Sequence, residues 1–185
     1  MTIGIIIGSI REGRAGAAVA QWVAEQAARR DATEFAVIDL KEFDVPLLTA
    51  PVPPAAANRQ YDSENVRRWS QAIDACEGFV FVTPEYNHGV PGALKNAVDS
   101  LGPEWSGKAV GFVSYGADGG VRAVEQWRQI VANFQMFDVR AQVALSLFQE
   151  FGDDGFTPQE RRAGELDTLL DQLISLTARL GISPA

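Results

Sequence analysis

Cysteine, histidine and lysine are all scarce in this chain, which has a single Cys76, a single His88 and only Lys41, Lys95 and Lys108. A lone cysteine excludes an internal disulfide and any thiolate metal cluster. It lies in an apolar helical stripe, where it reads as a small core residue. One histidine without paired cysteines makes a poor metal site. No G-x-S-x-G turn offers that histidine a nucleophile for a catalytic triad. None of the three lysines completes a Walker A loop. None lies four residues after Tyr61, Tyr86 or Tyr115, so the Tyr-x-x-x-Lys pair of short-chain dehydrogenases is absent too. Basic charge is also in short supply. A net charge of −8 argues against a nucleic-acid partner, which needs a positive face to displace counterions. No apolar run reaches the length of a membrane span, and Met1 leads directly into a strand pattern. The expectation is a cytoplasmic protein with no signal peptide and no membrane partner.

What is present is an alternation of strand-length apolar runs with helical patterns. Strands are predicted at 2–7, 34–39, 78–83, 108–114 and 140–147, and helices near 15–30, 63–76, 91–101, 120–134 and 158–180. Ile3, Ile5, Ile6 and Ile7, and again Phe79 to Val82, are apolar on both faces, as central parallel strands are when helices cover both sides. The fifth strand alternates, with Val143 and Leu145 against Gln142 and Ser146, which suits an edge. Leu166, Leu169, Leu173, Leu176 and Leu180 are spaced three and four apart. They read as a helix lying on its own sheet rather than a dimer seam. Pro46 to Tyr61 reads as a Pro-rich surface connection, not a domain linker. Residues 1–185 are therefore expected to form one α/β domain. Its three-layer sandwich is flavodoxin-like, with a five-stranded parallel sheet of order 2-1-3-4-5.

In such a sheet ligands sit beyond the carboxyl ends of the strands, where the strand order reverses. Three loops should meet there. The first is the turn Gly8-Ser9-Ile10-Arg11-Glu12-Gly13-Arg14-Ala15-Gly16, between the opening strand and an Ala-rich helix. The first helical amides lack intrahelical partners and sit at the positive end of the macrodipole, so an anion is favoured there. Ser9 adds a hydroxyl donor and Arg11 a planar charged fork, which makes a phosphate cradle. The glycine spacing, with Asp39 ending strand two, only loosely matches a dinucleotide fingerprint in which an acid holds a ribose, since G-x-G-x-x-G is missing. The second loop is Thr83-Pro84-Glu85-Tyr86-Asn87-His88-Gly89. Its residue types mark a tight irregular backbone whose amides can read a flat heterocycle. Glu85 there is either a ligand-facing acid or a helix-capping partner. His88 reads as a loop or interface residue rather than a catalyst. The third is Val113-Ser114-Tyr115-Gly116-Ala117-Asp118-Gly119-Gly120, whose glycines let backbone approach a ligand.

Together the GSIREGRAG turn, the TPEYNHGVPGALKN run and the VSYGADGG turn resemble the NAD(P)H-dependent FMN reductases. These are flavodoxin-like oxidoreductases that include quinone, azo-dye and chromate reductases. The resemblance spans about residues 4–134. It implies that Ser9, Arg11 and the amides of Gly16 and Ala17 hold the FMN phosphate. Pro84, Glu85, Tyr86 and Asn87 would line the isoalloxazine ring, chiefly through backbone groups, and Ser114, Tyr115 and Gly116 would close its far side. Many members carry Ser and Asn where this chain has Arg14 and Gly16, so a further positive charge and bare backbone stand there. A second reading turns Arg14 toward the 2′-phosphate of NADPH. The family forms dimers or tetramers through the helix after the second loop, which here carries Leu94, Lys95, Asn96 and Val98.

The activity so implied is hydride transfer from NAD(P)H through FMN to a small acceptor such as a quinone, azo compound, chromate or free flavin. The cofactor carries the chemistry, so no catalytic side chain and no metal are required. The segment Gln149 to Pro158, with Phe151 and Phe156, is either a cover for the pocket or a plain surface loop. Two rival readings remain at this stage: an FMN-binding electron carrier without NAD(P)H turnover, and a protein that keeps the fold with an empty cradle.

Overall fold

The computed structural model describes residues 1–181. Its main sheet is built from β1 (Thr2–Ile7), β2 (Glu34–Asp39), β3 (Gly78–Pro84), β4 (Ala109–Gly116) and β5 (Phe137–Ser146). The strands lie parallel in the order β2-β1-β3-β4-β5, as the alternating pattern requires. The helices are α1 (Gly16–Ala27), α2 (Glu64–Asp74), α3 (Gly92–Asp99), α4 (Val121–Asn133) and α5 (Arg161–Leu180).

The pleat sends alternate residues to two different cores. Ile3, Ile5 and Ile7 of β1, with Val80 and Val82 of β3, pack against α1 and α5. Ile6, Phe79, Phe81 and Phe112 face the other way, toward α2, α3 and α4. The first core is aliphatic and the second aromatic. Phe81 meets Trp127 edge-on at 5.5 Å, and Phe79 meets Trp105 at 5.2 Å, the offset geometry that ring quadrupoles favour. The leucines of α5 do lie on the sheet, with Leu166, Leu169 and Leu173 fully buried.

Boundaries differ from the expectation in ways with physical causes. β4 runs on to Gly116, because β5 continues beside it and Gly116 pairs with Ser146. Helix α1 ends at Ala27, its last turn tightening as the Arg30 N–H donates to Ala27 O. Residues 149–158 are more than a loop. They form a two-stranded antiparallel ribbon, β6 (Phe151–Gly152) and β7 (Gly155–Phe156). Phe151 and Phe156 rest against Tyr115 and Trp22, and a buried ion pair of Glu150 with Arg162, 2.7 Å, fastens the ribbon to α5. The ribbon therefore belongs to the α1/α5 core and does not cover the site described below.

β5 is an edge strand, as its alternation suggests, and its middle is occupied by side chains. Arg128 of α4 donates to Val139 O at 3.0 Å and Arg140 O at 3.3 Å. Ala141 N–H donates to Gln172 of α5 at 3.0 Å. The Pro-rich connection is tied at both ends. Asn96 bridges Pro46 O and Leu48 N–H, and Tyr61 donates to the buried Glu104 carboxylate at 2.8 Å.

Cys76 is 3% exposed, and burial pushes its thiol up from 9.0 to about 11. The unfolded chain would ionise first, so this contribution to stability is full below pH 9 and is lost as pH rises toward 11. Comparison of the native protein with Cys76→Ala by urea unfolding is expected to show about 2 kcal/mol of extra loss across that window. At pH 8 a thiol reagent should label Cys76 only as fast as the protein unfolds. Rapid labelling of folded protein would contradict this placement.

Candidate functional site

The ends of β1, β3 and β4 and the loops that follow them enclose a cleft of about 240 Å³. The first turn lines it from Ser9 through Arg11, Glu12 and Arg14 to Ala15, opposite Pro84, Glu85, Tyr86, Tyr115 and Gly116, with Leu147. Asn87 borders an adjoining shallow depression with Arg11 and Tyr86. The three predicted loops thus converge.

Close backbone approach shapes the first turn. A side chain on Gly8 would lie 2.5 Å from Leu94 Cδ2 and 3.0 Å from Val82 O, so only glycine lets β1 turn there. Gly8 N–H donates to Val82 O at 2.9 Å, extending the β1–β3 ladder to the edge of the site. No side chain caps α1, and its first turn contains no acid. The amides of Gly16 and Ala17 therefore stand where an anion is favoured. Ser9 is nearly buried, with its Oγ 2.8 Å from the Tyr86 hydroxyl. The Arg11 guanidinium stands 5.7 Å from the centre of the Tyr86 ring and, among the described residues, forms no ion pair.

Arg14 is paired within the protein. Its guanidinium pairs with Asp39 and donates to Ser9 O at 2.9 Å, both groups being largely buried. The pair engages Arg14 and Asp39 with each other, while Arg14 still borders the cleft. This contact fixes the turn to the end of β2, and Lys41 repeats the link by pairing with Glu12 at 2.6 Å.

In the second loop, Tyr86 and Gly89 exchange both backbone hydrogen bonds at 3.0 Å around Asn87 and His88, which have φ of 51° and 65°. Two successive left-handed residues make a type I′ turn. Neither the Asn87 nor the His88 amide makes a backbone hydrogen bond. Gln126, which the sequence did not single out, clamps this turn by donating to His88 O at 2.8 Å and accepting from Val90 N–H at 3.3 Å.

The Glu85 carboxylate resolves in favour of capping. It accepts from the Arg122 and Ala123 amides at 2.9 and 3.3 Å, and its other oxygen pairs with the Arg122 guanidinium at 2.9 Å. Helix α4 starts after Gly120, which has no side chain to cap it, so Glu85 reaches across to supply the anion. Its own N–H donates to Tyr115 O at 3.0 Å.

Ser114 is also engaged internally. Fully buried, it donates its hydroxyl to Gly119 O at 2.7 Å and holds the third loop from behind. Its side chain therefore does not close the cleft. Tyr115 and Gly116 do reach it, as the last residues of β4 rather than as loop residues. Tyr115 is 6% exposed, and among the described residues its hydroxyl completes no hydrogen bond. A Cβ on Gly16 would stand 2.6 Å from that oxygen. The alternation of the fifth strand runs as far as Leu147 in the sequence. In the fold Leu147 is the first residue beyond β5, donating its N–H to Gly116 O at 2.9 Å.

Sequence comparison agrees with this geometry. The chain matches the family described as NADPH-dependent FMN reductase over residues 1–150. It is 41% identical over 128 residues to the NAD(P)H-dependent FMN reductase ntnL of Nectria sp, which covers 67% of this chain and 64% of that protein. The match thus spans a little under two thirds of that relative's length. A quinone reductase of Pseudomonas putida is 33% identical over 168 residues, covering 82% of this chain and 83% of its own. Among solved structures, the flavoenzyme NAD(P)H:(acceptor) oxidoreductase FerB of Paracoccus denitrificans superposes with a TM-score of 0.73. It covers 94% of this chain and 97% of its own at 20% identity, and so shares the fold. With the sheet order and the converging loops, these matches place the chain in the NADPH-dependent FMN reductase family.

Proposed function

We propose that this protein binds FMN in the cleft at the ends of β1, β3 and β4 and uses it to pass electrons from NAD(P)H to a small-molecule acceptor. The observation that carries the reading is the uncapped start of α1, placed in one cleft with Ser9, Arg11 and a buried hydroxyl that lacks a partner. These donors fit a phosphate. Ser9, Arg11 and the Gly16 and Ala17 amides would hold it, with Arg14 keeping the turn in shape. The backbone of Pro84, Glu85, Tyr86 and Asn87 would line the flavin ring, and Tyr115 and Gly116 would bound its far side. Ser114 contributes only by supporting the third loop. When bound, FMN supplies hydride acceptance and release. The chain's own part is to hold that group rigidly, through the type I′ turn, the Gln126 clamp and the Glu85 cap.

The acceptor we infer is a flat two-electron oxidant such as a quinone, with azo compounds, chromate and free flavin in the same class. The quinone reductase among the relatives and the apolar Leu147 beside the cleft support this. We also infer that residues 1–185 act as one cytoplasmic domain in a homodimer or homotetramer. Among the described residues no helix is long and apolar enough to cross a membrane. Leu47, Leu48 and Val52 are exposed on the Pro-rich connection that Asn96 straps to α3, which offers apolar surface for a second copy.

Purified protein is expected to be yellow and to oxidise NAD(P)H when a quinone is added. Colourless protein that takes up no added FMN would overturn the reading, and FMN binding without NAD(P)H turnover would reduce it to an electron carrier. Arg11→Ala should weaken FMN binding by about 1.5–3 kcal/mol, read from flavin fluorescence, the usual worth of a hydrogen bond to a charged group. An unchanged affinity would remove Arg11 from the cradle. Glu85→Gln should cost roughly 1–2 kcal/mol in urea unfolding through the lost helix cap. Turnover per bound flavin should survive it, and abolished turnover with flavin retained would instead make Glu85 a proton donor.

A further inference from the structure

Among the described residues, two buried side-chain polar atoms lack a hydrogen-bond partner: Gln26 Oε1 and the Tyr115 hydroxyl. Buried polar groups are nearly always paired, because desolvation without a partner is costly. An orphan at a ligand cleft therefore needs a reason. Tyr115 leaves the end of β4 and passes its ring beneath the first turn to the start of α1. Its hydroxyl arrives where the side chain of residue 16 would be, and a Cβ there would clash at 2.6 Å. The Ser9 side chain and the Gly16 amide lie close enough to act on it as polar neighbours, but neither meets it with the geometry of a full hydrogen bond. The Ser9 hydroxyl shares its hydrogen bond with the Tyr86 hydroxyl instead. Burial raises the phenol above its ordinary ionisation range, so it remains a neutral O–H donor at any physiological pH.

We propose that the Tyr115 hydroxyl donates to a terminal phosphate oxygen seated at the start of α1, that residue 16 is glycine to let it through, and that this contact selects a phosphomonoester over the same ligand without its phosphate. The proposal deepens the FMN reading and rests on it. It also moves Tyr115 from the ring, where sequence resemblance put it, to the phosphate end. The donor stands beside the Gly16 amide at the start of α1. Being uncharged, it adds directional selectivity to a cradle whose positive field alone would accept many anions.

The test is titration of the apoprotein with FMN and with riboflavin, using native protein, Tyr115→Phe and Gly16→Ala. Loss of one charge-assisted hydrogen bond should lower FMN affinity about tenfold in Tyr115→Phe while riboflavin affinity stays the same. Gly16→Ala, whose methyl displaces the hydroxyl, should show the same selective loss. Combining it with Tyr115→Phe should add little further loss, because the contact is already gone. The phosphorus NMR shift of bound FMN should also differ between native protein and Tyr115→Phe. Circular dichroism and the melting temperature of each apoprotein show whether the variants fold. A native protein that prefers FMN, with Tyr115→Phe keeping that preference in full, would overturn this assignment alone. Equal losses for both flavins would overturn it too, by making Tyr115 a ring contact. Native protein that binds neither flavin would overturn the FMN reading and this assignment with it.

Discussion

The hydrogen bond from Gly8 N–H to Val82 O is the constraint on which the site depends. It carries the pairing of β1 and β3 one residue past the end of β1, and beyond it the two chains leave the sheet toward opposite faces. α1 departs to the aliphatic face and α3 to the aromatic one, which opens a gap between them at the point where the strand order reverses. Because Leu94 and Val82 fill the space a side chain at position 8 would need, the first turn is pressed against the second loop. The contact of Ser9 with Tyr86 follows from that proximity.

Two helix starts face this gap, and they are treated differently. α4 is closed by the Glu85 carboxylate, reaching over from a neighbouring loop. α1 is left open, and of the charged residues of its turn Glu12 pairs with Lys41 and Arg14 with Asp39, which leaves Arg11. The positive end of one dipole is thus neutralised within the protein, and that of the other stays available. The same arrangement explains why a protein of net charge −8 can offer a seat to an anion: the attraction is local, and the acids that would cancel it are engaged elsewhere.

The fold was almost fully legible in the chain, because periodicity reports local burial and burial on both faces marks central strands. Strand order, helix placement and the resting of the α5 leucines on the sheet all followed from that. What was not legible depended on partners distant in sequence. β4 looked finished at Ser114 because Tyr115-Gly116 has the composition of a turn, and only the continuing β5 keeps it in the sheet. The ribbon at 151–156 has strands of two residues, too short for any period to show. At the site, residue identity located the loops but not the direction of side chains. Ser114, Glu85 and Arg14 carry the right chemistry for a ligand and apply it to the protein itself. Gln126 and Leu147 gave no signal, since a helix-surface glutamine and the last leucine of an alternating run are commonplace.

The side chains lodged along the middle of β5 bear on how copies of this chain can associate. With Arg128 holding two of its carbonyls and Gln172 one of its amides, the stretch from Val139 to Ala141 is obstructed as a template for another strand. Lateral growth of the sheet is disfavoured on that side. Helical and loop surfaces are then the places left for copies to meet, where contacts form between preshaped side chains and symmetry limits their number. A protein built this way can gather into closed sets without the hazard of open-ended fibres.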